Sequence, residues 1–392
     1  MSVRKRNWTN GKGVAKEAWI VDYVDQGGTR RLKTFQRKKD ADAFNVTAST
    51  EIRSGTHVAD SVSATVQEAG ELWIQASEAA GLERSTRDQY RQHLNLHISP
   101  FVGSTLLSKL SAPAVRGFED RLRLEGRSPA MLRKIMGSLG ALLADAQERG
   151  LVARNVARDV RSGRKRGKES QADRRLKGRL KVGIDIPTRE EVKAIVEAST
   201  GRLRPLIITA VFTGLRASEL RGLKWVDVDF EARAVRVRQR ADRYNVIGRP
   251  KSEAGERTVP MPPLVLNTLR EWKLGCPRGA AGLVFPNGKG NVETLRNIAH
   301  RLLEPCEVAA GITVQVGEGI RAKYPGLHAF RHFYASWCIN RKEDGGLGLP
   351  AKVVQERLGH SSIMMTLDVY GHLFPRGDDA DELAAAERAL FS

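Results

Sequence analysis

Four short segments in the second half of the chain carry cationic or nucleophilic side chains at spacings that could serve chemistry. In the first, Arg216 follows Gly214, so an apolar helix would end at the glycine and the arginine would stand at the start of the next helix. Glu219, three residues further on, would share that helix face and could hold the guanidinium. A surface ion pair is the alternative explanation of this segment taken alone.

The second and third segments add a lysine and two histidines. Residues 249–260 predict a β-hairpin whose turn presents Lys251, although a hairpin lysine is commonly just solvated. His328, Arg331 and His332 follow the spacing i, i+3, i+4, so three polar groups would share one face of a helix. That spacing can also bind zinc, but no glutamate follows the first histidine and no third ligand is evident. We therefore expect no metal site.

The fourth segment places His360 after a glycine turn, and Tyr370 follows ten residues later. A single tyrosine is usually a core or rim residue. Beside two guanidiniums, Arg216 and Arg331, it suits phosphate chemistry, because each guanidinium offers paired donors to the nonbridging oxygens. As a nucleophile, Tyr370 would need a base or a strongly positive site to attack at neutral pH, because the unperturbed pKa of tyrosine is about 10. We expect His328 to take its proton, since an unperturbed histidine has a pKa of about 6.5.

The charge balance indicates a polyanionic partner. The 392 residues include 65 Lys and Arg against 45 Asp and Glu, a formal net charge of +20. Basic groups beside phosphates release condensed counterions, so this excess favours nucleic acid, with a basic but uninvolved surface as the alternative. The sequence shows no disulfide framework, signal peptide, membrane span or glycine-rich nucleotide loop. We therefore expect a cytoplasmic protein that needs no cofactor and has no membrane partner.

The elements that would position the reactive residues fall into separate stretches. Residues 1–60 predict a small β-containing unit with strands at 18–24 and 31–35. Residues 64–160 predict helices throughout, because apolar residues recur there at helical spacing. A basic linker follows at 161–183, with ten Lys and Arg against two acidic residues in 161–181.

The remaining residues, 184–392, predict a mainly helical unit with a small antiparallel sheet. Thr188 and Glu191 have the spacing of a helix capping box. Strands are predicted at 234–237 and 257–261, and helices at about 292–310, 328–340 and 350–358. A terminal helix would carry an apolar edge formed by Leu383, Ala386, Leu390 and Phe391.

Over about residues 64–375 the chain resembles the tyrosine recombinases of the phage-integrase family, whose motifs occur here in the same order with compatible spacing. The catalytic residues that this resemblance implies are Arg216, Lys251, His328, Arg331, His360 and Tyr370. It also implies that Lys251 protonates the departing 5′ oxygen and that His360 hydrogen-bonds the phosphate. Ala329 and Phe330 stand where the family often has an acidic residue and a leucine. This departure removes no functional group.

The resemblance implies a multidomain fold, mainly α with small antiparallel β-sheets. Its parts would be an arm-type DNA-binding domain at 1–60, a helical core-binding domain at 64–160, the basic linker at 161–183, and an α+β catalytic domain at 184–392 that ends in a C-terminal helix.

The function implied by the resemblance is that of a bacterial, nucleoid-associated integrase. It would cleave and rejoin DNA through a 3′-phosphotyrosyl intermediate, and so integrate or excise a mobile element such as a phage. The implied partners are double-stranded DNA attachment sites, further copies of the chain in a homotetramer, an excisionase and a host DNA-bending factor. A type IB-like topoisomerase and a non-enzymatic architectural DNA-binding protein are the alternatives.

Overall fold

The computed structural model describes residues 1–9, 11, 15–160, 179–375 and 379–391, without the side chains of residues 379–382 and 386. The chain divides into two compact units, Met1–Arg166 and Gly167–Ser392. The expected basic linker at 161–183 lies outside the described residues, except for 179–183.

The first unit begins with a three-stranded antiparallel sheet in the order β1-β2-β3. Its strands are β1 (Ser2–Thr9), β2 (Ala15–Val24) and β3 (Arg30–Phe35). Helix α1 (Lys38–Arg53) packs on one face of this sheet, where Val21, Tyr23 and Ala41 form a small core. The β-containing N-terminal part of the fold prediction is therefore confirmed.

Residues 64–160 are mainly helical, as predicted. The helices are α2 (Val66–Ala79), α3 (Arg84–His93), α4 (Ser99–Val102), α5 (Ala112–Leu124), α6 (Pro129–Glu148) and α7 (Val156–Asp159), with a π-helical turn at Leu94–Ile98. Side-chain caps begin the longer helices: Thr65 and Glu68 form a capping box on α2, and the Ser128 hydroxyl accepts from the Met131 amide of α6. The apolar stripes of these helices meet in one core that includes Trp73, Phe118 and Leu139.

The second unit packs helices around a three-stranded antiparallel sheet in the order β4-β5-β8. Its first elements are α8 (Arg189–Ala198), α9 (Leu203–Thr213), α10 (Ala217–Gly222), β4 (Val228–Asp229), β5 (Ala234–Val237), β6 (Arg240–Ala241), β7 (Ile247–Gly248), β8 (Arg257–Pro260) and α11 (Pro263–Gly275). Helix α9 is almost entirely buried because nearly every side chain on it is apolar. The capping box of Thr188 and Glu191 is present at the start of α8.

The later elements of this unit carry the candidate site. They are α12 (Leu295–Asn297), a π-helical turn (Ile298–Leu303), α13 (Glu304–Ala309), β9 (Thr313–Val316), β10 (Gly319–Ala322), α14 (His328–Ile339), α15 (Ala351–Leu358), α16 (Ile363–Tyr370) and α17 (Asp379–Phe391). The core of the unit extends from Ile186 to Phe333. None of the helices in the described ranges has the length and apolar character needed to cross a membrane.

One predicted element is wrong in detail. Residues 249–260 do not form a hairpin of their own, because their single strand, β8, pairs with β5. Pro250 has no amide N–H to donate to a neighbouring strand. Gly255 packs closely against it, since a Cβ added to Gly255 would lie 2.5 Å from the Pro250 Cβ. Lys251 therefore lies in a compact turn that follows the short β6–β7 pair and precedes β8.

Candidate active site

Arg216 is the N-cap residue of α10, and its side chain and backbone amide both donate to Glu219. The Arg216 amide donates to Glu219 Oε2 at 2.8 Å, and Arg216 Nη1 donates to Glu219 Oε1 at 2.7 Å. The carboxylate is buried, whereas about a third of the Arg216 side chain is exposed (34%). The predicted contact is therefore confirmed, and its carboxylate is a buried one rather than part of a surface pair.

A second guanidinium, that of Arg257 at the start of β8, holds the other side of Glu219. Its Nη1 and Nη2 donate to Glu219 Oε1 and Oε2 at 3.1 and 2.8 Å, and its Nε donates to the Arg357 carbonyl at 2.7 Å. Burial would raise the pKa of Glu219, but the hydrogen bonds and charge of Arg257, with the charge of Arg216, hold that pKa below its ordinary value. Glu219 is thus an ionised bridge between two arginines.

Arg331 on α14 is almost fully buried, with 2% of its surface exposed. Its two terminal nitrogens donate to backbone carbonyls, Nη1 to Gly214 at 2.7 Å and Nη2 to Leu358 at 2.6 Å. Burial and then the charge of Arg216 lower the pKa of Arg331 to about 9, which still leaves it protonated at neutral pH. Gly214 has a left-handed φ of 61°, and an added Cβ would lie 2.2 Å from the Tyr334 ring, so only glycine places this carbonyl here.

The turn after α15 brings His360 into the same cluster. Gly359, with a left-handed φ of 64°, ends the helix and accepts from Arg216 Nη2 at 2.8 Å. His360 is buried, its Nδ1 lies 2.8 Å from the Thr366 hydroxyl, and Gln355 donates to its carbonyl. Burial, and then the charges of Arg331 and Arg216, lower the pKa of His360 to about 4, so its ring is neutral near pH 7.

Tyr370 is the last residue of α16, and its hydroxyl points into this cluster. Only 2% of the residue is exposed, and the hydroxyl lies 2.7 Å from His332 Nδ1. Its ring is nearly parallel to that of His360, at 6.4 Å between centroids. Burial raises the pKa of Tyr370 to about 12, against the lowering effect of Arg331 and Arg216. Just beyond, His372 Nε2 donates to the Leu180 carbonyl at 2.8 Å and holds the chain that follows the tyrosine.

Lys251 and His328 lie at the accessible side of the cluster. Lys251, Arg216 and Ser252 line a cleft of about 170 Å³. His328 is exposed, and its ring packs edge-on against that of His332 at 4.5 Å between centroids. The cleft gives a ligand access to Arg216 from solvent.

The arrangement is suited to binding an anion. The charged side chains at its centre are three guanidiniums and one carboxylate, namely Arg216, Arg257, Arg331 and Glu219. A phosphate diester would compensate the excess positive charge, and preorganised donors favour a transition state in which charge builds on its oxygens. Among the described residues no group of three or more His, Cys, Asp and Glu side chains is placed to hold a metal ion.

The fold brings together the residues that the sequence predicted to be catalytic, and it places two further side chains, those of His332 and Arg257, in the same cluster. His332 was noted on the helix face of His328 without a role, and it is the residue that contacts the Tyr370 hydroxyl. Arg257 was not singled out. A signal existed, because strand alternation puts Arg257 on the same face as Val259, which is fully buried.

The chain is similar in sequence to known recombinases and integrases. The model of the phage integrase family matches residues 187–376. A tyrosine recombinase XerC-like protein of Caldanaerobacter subterraneus subsp. tengcongensis is 28% identical over 95% of this chain and 96% of its own length. The ICEBs1 integrase of Bacillus subtilis is 25% identical over 76% of this chain and 77% of its own.

Solved structures show the same fold. The integrase of transposon Tn1549, in complex with transposon right end DNA, superposes with a TM-score of 0.62 and 21% identity, over 83% of this chain and 99% of that one. A lambda integrase dimer bound to a core site gives a TM-score of 0.54 and 17% identity, over 92% and 93%. The predicted combination of mainly helical units with small antiparallel sheets is therefore confirmed.

Proposed function

We propose, since this chain belongs to the phage integrase family of tyrosine recombinases, that it is a site-specific DNA recombinase which integrates or excises a mobile element. The observation that carries the proposal is the buried Tyr370, whose hydroxyl contacts a histidine inside a cluster that contains Arg331 and His360. A tyrosine that served packing alone would not need two guanidiniums held by backbone carbonyls around it.

The reaction uses each group for a separate task. Arg216 and Arg331 bind the nonbridging oxygens of the scissile phosphate, and their planar donors follow the charge that builds there. The Tyr370 oxygen attacks phosphorus, while Lys251 protonates the departing 5′ oxygen. His360 and the accessible His328 hydrogen-bond the phosphate. The products are a 3′-phosphotyrosyl ester and a free 5′ hydroxyl, so one phosphoester replaces another and no nucleotide cofactor is consumed.

The substrate is double-stranded DNA that carries attachment sites, and the working species is a homotetramer assembled on two of them. The excess positive charge of the chain supports DNA as the substrate, because basic groups near phosphates release counterions. The homotetramer is supported by a lambda integrase tetramer bound to a Holliday junction, which has a TM-score of 0.55 and 16% identity to this chain. An excisionase and a host DNA-bending factor complete the proposed partners in the bacterial cytoplasm and nucleoid.

The test of this function is a covalent adduct on Tyr370. A duplex core site from the end of the mobile element, nicked beside the scissile phosphate, traps the protein because the short cleaved strand diffuses away. We expect an adduct on a denaturing gel with the wild-type chain and none with Tyr370→Phe, since that change removes only the attacking oxygen. Both should bind the site with similar affinity. An adduct at normal yield with Tyr370→Phe would refute the assignment of the nucleophile.

The N-terminal part of the chain is proposed to bind arm-type DNA sites apart from the core. Pairing of Val3 with Val21 leaves alternate residues of β1, including Arg4, Arg6 and Trp8, on the sheet face opposite α1. These cationic and aromatic side chains are exposed, as a surface that contacts phosphates and bases would be.

Removing residues 1–60 should spare cleavage of an isolated core site and impair integration on full attachment sites. The triple variant Arg4→Gln, Arg6→Gln, Trp8→Ala should reproduce this effect without shortening the chain. If either change abolishes cleavage of the core alone, the segment supports the catalytic reaction directly and the arm assignment is wrong.

A further inference from the structure

The partner of the Tyr370 hydroxyl is His332, one helical turn beyond His328 on α14. His332 Nδ1 lies 2.7 Å from the hydroxyl, a short hydrogen-bond distance for a phenol and an imidazole. The two rings are tilted by 59° with their centroids 5.7 Å apart, so the nitrogen meets the hydroxyl at the edge of the ring. Both residues are held by elements of the same unit, α14 and α16.

The other polar groups around Tyr370 are committed elsewhere. Arg216 and Arg331 are cations that can only donate. Both oxygens of Glu219 already accept from Arg216 and Arg257. His360 offers its ring face, since it lies within 6° of parallel to the tyrosine ring, and its Nδ1 contacts the Thr366 hydroxyl. Within the described residues, His332 is therefore the best-placed proton acceptor.

We infer that His332 is the catalytic base of the cleavage step, a conclusion that rests on the proposed function. As a lone pair of the Tyr370 oxygen forms the bond to phosphorus, the phenolic proton passes to His332 Nδ1. The bond between phosphorus and the 5′ oxygen breaks, and that oxygen takes a proton from Lys251. In the rejoining step a 5′ hydroxyl attacks the phosphotyrosine and gives its proton to the Lys251 amine, while the departing phenolate recovers its proton from His332.

The environment keeps both partners neutral until the phosphate arrives. Burial, and then electrostatic interactions with His328 and Arg331, lower the pKa of His332 to about 4, against an opposite effect of Asp185. The imidazole therefore has a free lone pair at neutral pH. The phenol keeps its proton because its own pKa is raised, but that pKa falls steeply as the oxygen bonds to phosphorus. Transfer in the transition state needs no prior ionisation of the tyrosine.

His328, which the sequence analysis selected for this proton transfer, has a different position. It is exposed and packs edge-on against His332 rather than against the tyrosine hydroxyl. On this surface it can reach a bound phosphate from solvent. The two histidines of α14 thus have different roles: His328 hydrogen-bonds the phosphate, and His332 accepts the proton of Tyr370.

The experiment compares two leaving groups in the nicked core substrate with the full-length chain. One substrate has the natural phosphodiester, and the other has sulfur in place of the bridging 5′ oxygen, whose thiolate departs without a proton. His332→Asn places an amide near the position of Nδ1 but cannot accept a proton at neutral pH. We expect it to slow adduct formation by roughly 100-fold on both substrates. Lys251→Ala should be slow on the phosphodiester and recover on the sulfur substrate.

Half-site binding and thermal unfolding show whether each variant is folded. A second test of the base uses His332→Ala with added imidazole. We expect free imidazole to restore part of the adduct rate of His332→Ala in proportion to its unprotonated fraction. If His332→Asn stays within about threefold of the wild type, or the sulfur substrate rescues it as it rescues Lys251→Ala, His332 is not the base. Failure of the wild-type chain to form any adduct would instead refute the proposed function.

Discussion

A guanidinium whose two terminal nitrogens both donate to backbone carbonyls, as in Arg331, has its plane fixed before any ligand binds. Arg216 is fixed in a similar way by Glu219 and the Gly359 carbonyl. The remaining donors of both side chains are therefore preorganised. Rate acceleration by electrostatics depends on such orientation, because donors that must reorient during the reaction lose much of their benefit.

Replacing either arginine by lysine should therefore cause a severe loss of activity although the charge is kept. An ammonium cannot donate to two anchors and to a phosphate in one plane. We expect Arg216→Lys and Arg331→Lys each to lower the rate of adduct formation by roughly 100-fold or more. The measurement is single-turnover cleavage of the nicked core site, with Arg204→Lys as control, since Arg204 is an exposed residue of α9. Near-normal rates for both variants would reduce the two arginines to structural ion pairs.

The elements around the site are joined by one buried ion pair. Glu219 of α10 and Arg257 of β8 are separated by 38 residues, and their side chains are only 3% and 6% exposed. Arg257 also donates to the Arg357 carbonyl near the end of α15. An added Cβ on Gly359 would lie 2.8 Å from Arg257 Nη1, so this guanidinium also packs against the turn that presents His360. Three elements are thus positioned by a side chain that need not contact DNA.

Arg257→Met should destabilise the second unit and slow cleavage together. Removing Arg257 leaves the buried Glu219 carboxylate with Arg216 as its remaining charged partner, and we expect a cost of up to about 3 to 5 kcal/mol. The matched control is Arg236→Met on the neighbouring strand β5, whose pair with Asp229 is 50% and 26% exposed and should be worth less than about 1 kcal/mol. Urea unfolding gives both values. If the two variants lose equal stability and keep equal cleavage rates, Arg257 does not organise the site.

Elements whose buried faces give the sequence a regular apolar spacing were predicted well, and mostly exposed elements were predicted poorly. The helices of residues 64–160 were predictable because their apolar stripes face one core. Strand β1 was missed because it is mostly exposed and basic, and the β9–β10 hairpin because its residues are exposed or only partly buried. Within the site, the shared face of His328, Arg331 and His332 follows from helical spacing. The contact of His332 with Tyr370 does not, because it depends on how α14 packs against α16.

At the scale of the whole molecule, the described surface keeps two exposed apolar stretches near the C-terminus. Helix α16, which carries the nucleophile, buries only Thr366 and Tyr370, and its exposed side chains include Met364 at 57%. The terminal helix α17 exposes Leu390 and Phe391 by 78% and 83%. A short helix with an unburied apolar edge is marginal alone in water and needs a surface to cover it. We propose that this surface is the exposed side of α16 on a neighbouring copy in the proposed tetramer.

Deleting residues 378–392 should then leave binding of one copy to a half-site intact while it weakens synapsis and recombination. Burial of Leu390 and Phe391 would contribute about 1.5 to 3 kcal/mol each, enough to shift assembly by more than tenfold. The paired change Leu390→Glu and Phe391→Glu should act like the deletion, and Met364→Glu should weaken assembly from the other side of the contact. Leu274→Glu is the matched control, because Leu274 is 90% exposed on α11, away from both helices in sequence. Native gels and sedimentation with half-site DNA separate single binding from assembly. If the truncated chain unfolds or loses half-site binding, the helix stabilises its own unit instead, and exchange between copies through this contact is excluded.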